Sequence, residues 1–202
     1  MSIEDDVVQV SYNLPPAAVA AAVLRLDAAR PDPNVTPAQL QRVLYLAQGH
    51  YLAATGRRLF DAPVTATHRG PVVAPVQREC APYTGQVIVH ERGYATDPGL
   101  PRDALEFLTR VWEQHGDQIA TTLARLTHAR DPWAITCARG EGTVIPDQAM
   151  IEHFSYEVPA RERVLHPGIV VVTQEDLDNL DRDEDDIIDR ALTALLAGET
   201  HD

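Results

Sequence analysis

The sequence contains no lysine: all 17 of its basic residues are arginine. This excludes a phosphate-loop lysine, a Schiff-base lysine and a kinase-type lysine. A GC-rich coding sequence that favours arginine codons accounts for the bias. Serine occurs only at Ser2, Ser11 and Ser155, never in a Gly-x-Ser-x-Gly elbow. Cysteine occurs twice, at Cys80 and Cys137, in no metal-binding or redox spacing. Both read as thiols of a reducing cytoplasm, packed as small hydrophobes. No run approaches the ~18 apolar residues of a membrane span. The acidic start Met1-Ser2-Ile3-Glu4-Asp5-Asp6 lacks the basic character of a signal peptide.

Metal and nucleotide motifs are missing too. There is no His-Glu-x-x-His, no Gly-x-Gly-x-x-Gly after a strand and no histidine pair at zinc spacing. Residues 181–185 begin like a calcium loop, but Asp186 stands where glycine is required and Leu192 where the bidentate glutamate belongs. The expectation is a protein with no catalytic residue, no metal and no cofactor. The catalytic alternative is a hydrolase assembled from distant residues, which would draw on His68 and His128.

What is present is a globular chain of 202 residues with 45% hydrophobic content, the size of one domain with appendages. Its net charge of −13 is unevenly placed. Residues 174–202 hold eleven acids against Arg182 and Arg190. Such a polyanion repels nucleic acid; it reads as a solvated acidic helix, or alternatively as an arm for a basic partner.

Helical spacing dominates the body. Pro15-Pro16 opens a helix carrying Val19, Val23 and Leu26. Thr36-Pro37-Ala38-Gln39 combines an N-cap, a first-turn proline and a capping box. Leu40, Val43, Leu44, Ala47 and Tyr51 then mark one helical face, and Gly56 ends the run. Residues 64–68 and 86–90 have strand propensity, and Arg69-Gly70-Pro71 reads as a tight turn. Residues 76–81 read as a short helix, and Pro101 starts a longer one through Leu105, Leu108, Val111 and His115. Asp117 caps a successor, Asp131-Pro132-Trp133 begins a short helix that Gly140 ends, and another runs from Asp147 to Phe154. Residues 168–173 read as a strand or an extended segment packed on the body, and residues 176–197 as an acidic amphipathic helix. The fold class expected is mainly α with a small antiparallel β-sheet: a single compact domain plus an acidic C-terminal helix.

Several of these stretches together resemble one family. Thr36-Pro37-Ala38-Gln39-Leu40-Gln41-Arg42-Val43-Leu44-Tyr45-Leu46-Ala47-Gln48-Gly49 is similar to the "T-P-x-K-L-Q-K-L-L-Y-Y-A-Q-G" helix of the Panacea domain, the SocA-like antitoxins. Residues 56–64 resemble its "G-x-P-L-F-x-E-x-I", and Gly70-Pro71-Val72-Val73 its "Y-G-P-V-V". Leu126-Thr127-His128 with Pro132-Trp133 resembles "T-H-x-x-x-P-W", and residues 145–154 the closing "I-x-x-x-x-I-x-x-Y-F". The departures are Thr67 and Arg69 where the family carries an aromatic pair, and Gln39 and Arg42 at its usual lysine positions.

The resemblance implies a cytoplasmic antitoxin of a type II toxin–antitoxin system that binds a cognate protein toxin. The alternatives it leaves are an adaptor that delivers a partner to a Clp-type AAA+ protease and a DNA-binding autorepressor, which the charge of −13 disfavours. The organisation expected is an N-terminal arm and helix over 1–34, the Panacea-like domain over 35–156, and a strand with the acidic helix over 157–202. The candidate toxin-contact residues are His68, Arg69, Gly70 and Pro71 at the turn, with His128 and Trp133.

Overall fold

A computed structural model describes residues 13–83, 85–88, 99–116 and 131–167. All of these lie in the first of two compact units, residues 1–169. The expected helix after Asp117, His128, the strand at 168–173 and the acidic helix at 176–197 fall outside the described residues, as does most of the N-terminal arm.

Helix α1 (Pro16–Ala28) starts on its prolines, whose fixed φ suits the first turn. Every residue from Val19 to Leu24 is buried, so the helix is apolar all round, as an interior helix must be. Helix α2 (Pro37–Thr55) forms as its caps predict. The Thr36 hydroxyl accepts from the Gln39 N–H, the Gln39 side chain accepts from the Thr36 N–H, and Gly56 closes the helix at φ +68°. The single apolar face expected for α2 is too narrow, because from Leu40 to Leu52 only Arg42 escapes full burial. Helix α2 is the axis of the domain, packed against α1, the sheet and the later helices.

Burying α2 on all sides means that its polar residues need partners, and its two buried glutamines find backbone. Gln41 Oε1 accepts the Val73 N–H at 2.7 Å, and its Nε2 donates to the Val73 carbonyl at 3.5 Å. Gln48 Oε1 accepts from the N–H groups of Leu59 and Phe60 at 3.0 and 3.4 Å. Asp27 does the same for α1, accepting from Val35 and Asn34. Gly49 is set by close approach: a Cβ there would lie 2.2 Å from Cε2 of Phe154, whose ring seats on the helix backbone.

The sheet has three antiparallel strands in the order β2-β1-β3. They are β1 (Val64–Thr67), β2 (Gly70–Val73) and β3 (Thr143–Val144). The tight turn expected at Gly70-Pro71 lies two residues earlier. His68-Arg69 forms the loop between the paired residues Thr67 and Gly70, with Gly70 at φ +128°. Pro71 is tolerated because β2 is an edge strand and its missing N–H faces away from the ladder. The strand expected at residues 86–90 is corrected over its described part. Residues 86–88 form no strand, and Ile88 is held by one bond from its N–H to the Val35 carbonyl. Residues this apolar extend readily, but a strand also needs a free edge in register.

Helix α3 (Ala74–Cys80) continues from β2, and α4 (Arg102–His115) packs Phe107, Leu108 and Val111 into the core. Helix α5 (Pro132–Arg139) follows an Asp131 cap, and Gly140 ends it. Helix α6 (Asp147–Glu152) runs on into a π-helical turn, residues 153–157, that delivers Phe154 to Gly49. Among the described residues, no helix is long and apolar enough to cross a membrane.

Candidate functional site

The exposed tip of the β1–β2 hairpin meets helix α5. Trp133 and Cys137 are four residues apart and so share one face of α5, the face that meets the tip. The Trp133 indole Nε1–H donates to the Thr67 carbonyl at 3.0 Å. One turn along, Cys137 Sγ lies 3.6 Å from His68 Nδ1. Glu141, just past α5, holds the same histidine twice: Oε1 accepts the His68 backbone N–H at 3.3 Å, and Oε2 lies 3.4 Å from Nε2. His68, Arg69 and Val144 of the sheet are exposed; Ile135 and Arg139 are exposed too, but stand two residues from Trp133 or Cys137 and so on the other face of α5. Ile135 and Val144 are large apolar side chains left 39% and 45% exposed. The junction therefore combines an exposed arginine with a half-buried tryptophan, residue types enriched at protein contacts.

A buried polar hub fixes α5 from below. Asp131 Oδ1 accepts from the Trp133 N–H at 2.8 Å and from the Tyr45 hydroxyl of α2 at 3.0 Å. Its other oxygen lies 3.9 Å from His153 Nε2. Burial raises the Asp131 pKa, with the Trp133 N–H opposing. Burial and then the Asp131 charge raise Tyr45 well above its usual value, so it remains a donor. One carboxylate thus ties α2, α5 and the π-helical turn together.

Behind the hub, His50 of α2 and His115 of α4 lie Nε2 to Nε2 at 3.1 Å, their rings stacked. The Val164 N–H donates to His50 Nδ1 at 3.3 Å. That assigns the tautomers. His50 accepts at Nδ1, so it carries its hydrogen on Nε2 and donates to His115, whose hydrogen is on Nδ1. A proton on His50 would have to displace the Val164 bond. Burial, with His115 and His153 nearby, lowers His50 to about 3. Burial lowers His115 to about 4 against the pull of Glu162. The pair is neutral packing.

Of the candidate contact residues, His68 and Arg69 are exposed and Trp133 is half-buried, and the structure brings His68 and Trp133 to one junction. Gly70 and Pro71 are buried and shape the hairpin from beneath. His128 lies outside the described residues. Sequence reasoning missed Cys137 and Glu141 as partners of His68, since they lie 69 and 73 positions away. It also gave no role to Gln41 and Gln48, although two glutamines inside an otherwise apolar helix were the signal.

The family profile "Antitoxin SocA-like, Panacea domain" matches residues 40–134, from the first buried turn of α2 to Ala134, just past Trp133. Antitoxin SocA of Caulobacter vibrioides is 31% identical over 163 residues, covering 69% of this chain and 86% of that protein. No solved structure matches.

Proposed function

Because the chain belongs to the SocA-like antitoxin, Panacea-domain family, we propose that it is the antitoxin of a type II pair and neutralises a protein toxin by direct binding. The observation that carries this reading is the similarity to Antitoxin SocA over 86% of that protein. The contact face we assign is the hairpin tip with α5: Arg69 and His68 as polar contacts, with Trp133 as the apolar part. The face is built for binding rather than turnover. Arg69 can make bidentate bonds to carboxylates or carbonyls, and the hub at Asp131 holds α5 rigid, which lowers the entropy cost of docking.

Expression of the gene next to this one, alone and together with this chain, tests the reading. The neighbour is expected to arrest growth alone, to be harmless in co-expression and to co-purify with this protein. Toxin abundance separates holding from delivery to a protease. Neutralisation at an undiminished toxin level means that binding suffices, and loss of toxin means an adaptor. A neighbour that is harmless alone, or still toxic beside abundant folded antitoxin, overturns the proposal.

A further inference from the structure

The meeting of Cys137, His68 and Glu141 has a chemistry that toxin binding does not require. A thiol faces one nitrogen of an imidazole at 3.6 Å, and a carboxylate faces the other at 3.4 Å. This is the order nucleophile, base, orienter by which nucleophilic side chains are activated. The tautomer is consistent with it. A carboxylate only accepts, so Nε2 carries the hydrogen toward Glu141, and the Nδ1 lone pair faces the thiol. Glu141 also accepts the His68 backbone N–H, and Trp133 pins the hairpin tip to α5, so the backbone that carries the ring is held on both sides of the loop. Cys137 is half-buried and His68 is 72% exposed, so a small molecule can reach the sulfur. Cys80, at the end of α3, is buried.

We propose that Cys137 is a reactive thiol that exchanges with small disulfides, with His68 as its general base and Glu141 as the residue that orients the base. The Cys137 proton passes to His68 Nδ1 as Sγ attacks one sulfur of the disulfide. The Sγ–S bond forms, the original S–S bond breaks, and the departing thiolate takes the proton from the imidazolium and leaves as a thiol. Cys137 is oxidised to a mixed disulfide and one half of the reagent is reduced, so no further oxidant is needed. The reaction is a stoichiometric modification, not a turnover. The modified side chain would stand within the hairpin–α5 face; that consequence rests on the binding reading, whereas the thiol chemistry does not.

The test uses the purified full-length chain without toxin and 5,5′-dithiobis(2-nitrobenzoate) as the disulfide. One fast-reacting thiol per chain is expected, faster than free glutathione at about pH 7 and absent in Cys137→Ser. His68→Ala should slow it by about tenfold or more at that pH, and Glu141→Gln by a smaller factor. Both side chains are exposed, so thermal midpoints should not move. At about pH 10, where thiols ionise unaided, the variants should converge on the unmodified chain, a behaviour that a purely structural role does not produce. Three results overturn the proposal: Cys137 no faster than glutathione, His68→Ala at full rate at about pH 7, or the same deficit at both pH values.

Discussion

Gly49 shows how a single residue sets the packing of the whole domain. Mid-helix glycine costs about 1 kcal/mol against alanine, yet only glycine leaves room for the Phe154 ring, which a Cβ would approach to 2.2 Å. The ring in turn packs edge-on to Tyr45 and His50. Gly49→Ala should therefore destabilise the protein by about 1–3 kcal/mol through overpacking, despite the better helix propensity, and urea denaturation measures it. A stabilised variant would mean that Phe154 has somewhere else to go. Arg69 makes the opposite case. It is exposed, so Arg69→Ala should leave the melting temperature within about a degree, since surface substitutions away from special features change stability by about 0.5 kcal/mol or less.

Among the elements, α2 explains the rest. Its caps and terminators were readable in the sequence because they are local: Thr36, Pro37, Gln39 and Gly56 act on residues next to them. The start of α5 at Asp131-Pro132 and its end at Gly140 were readable for the same reason. The burial of α2 on all sides was not, because it depends on β2, α4 and α6 arriving from elsewhere in the chain. Nor was the use of Gln41, whose partner Val73 is 32 residues away. Strand propensity pointed to β1 alone; the hairpin was not foreseen, because Gly70-Pro71 carries stronger turn signals than His68-Arg69 and yet opens strand β2. The candidate site was half visible: the motif residues pointed to the hairpin and Trp133, whereas Cys137 and Glu141 join it only in three dimensions. Gln41→Leu tests the edge role. It keeps the volume but leaves the Val73 N–H and carbonyl buried without a partner, which should cost about 1–3 kcal/mol. An unchanged denaturation midpoint would show that the edge of β2 is satisfied in another way.

For the whole molecule, the histidine pair links stability to pH. In the unfolded chain both histidines take up protons as pH falls through about 6.5. In the folded protein His115 waits until about 4 and His50 until about 3. Between those values the unfolded state binds more protons, so stability is fully present above about pH 6.5 and falls as the pH drops. Each histidine contributes a slope of about 1.4 kcal/mol per pH unit within its window. His115→Gln keeps an acceptor for His50 but does not titrate, so urea unfolding at about pH 6.5 and pH 4.5 should show a shallower slope for the variant. Identical slopes would mean that the pair does not carry the acid sensitivity.

The toxin-binding surface proposed for this chain is the hairpin with α5. The affinity of the purified pair, measured by calorimetry for the unmodified chain, Arg69→Ala and Arg102→Ala, tests it most directly. Arg102 is an exposed residue of α4 outside the face. The account predicts at least about a tenfold loss of affinity for Arg69→Ala, the scale of an interface arginine, with no change for Arg102→Ala and equal melting temperatures for all three. Full affinity in Arg69→Ala would contradict it, and a loss in Arg102→Ala alone would move the contact surface to α4.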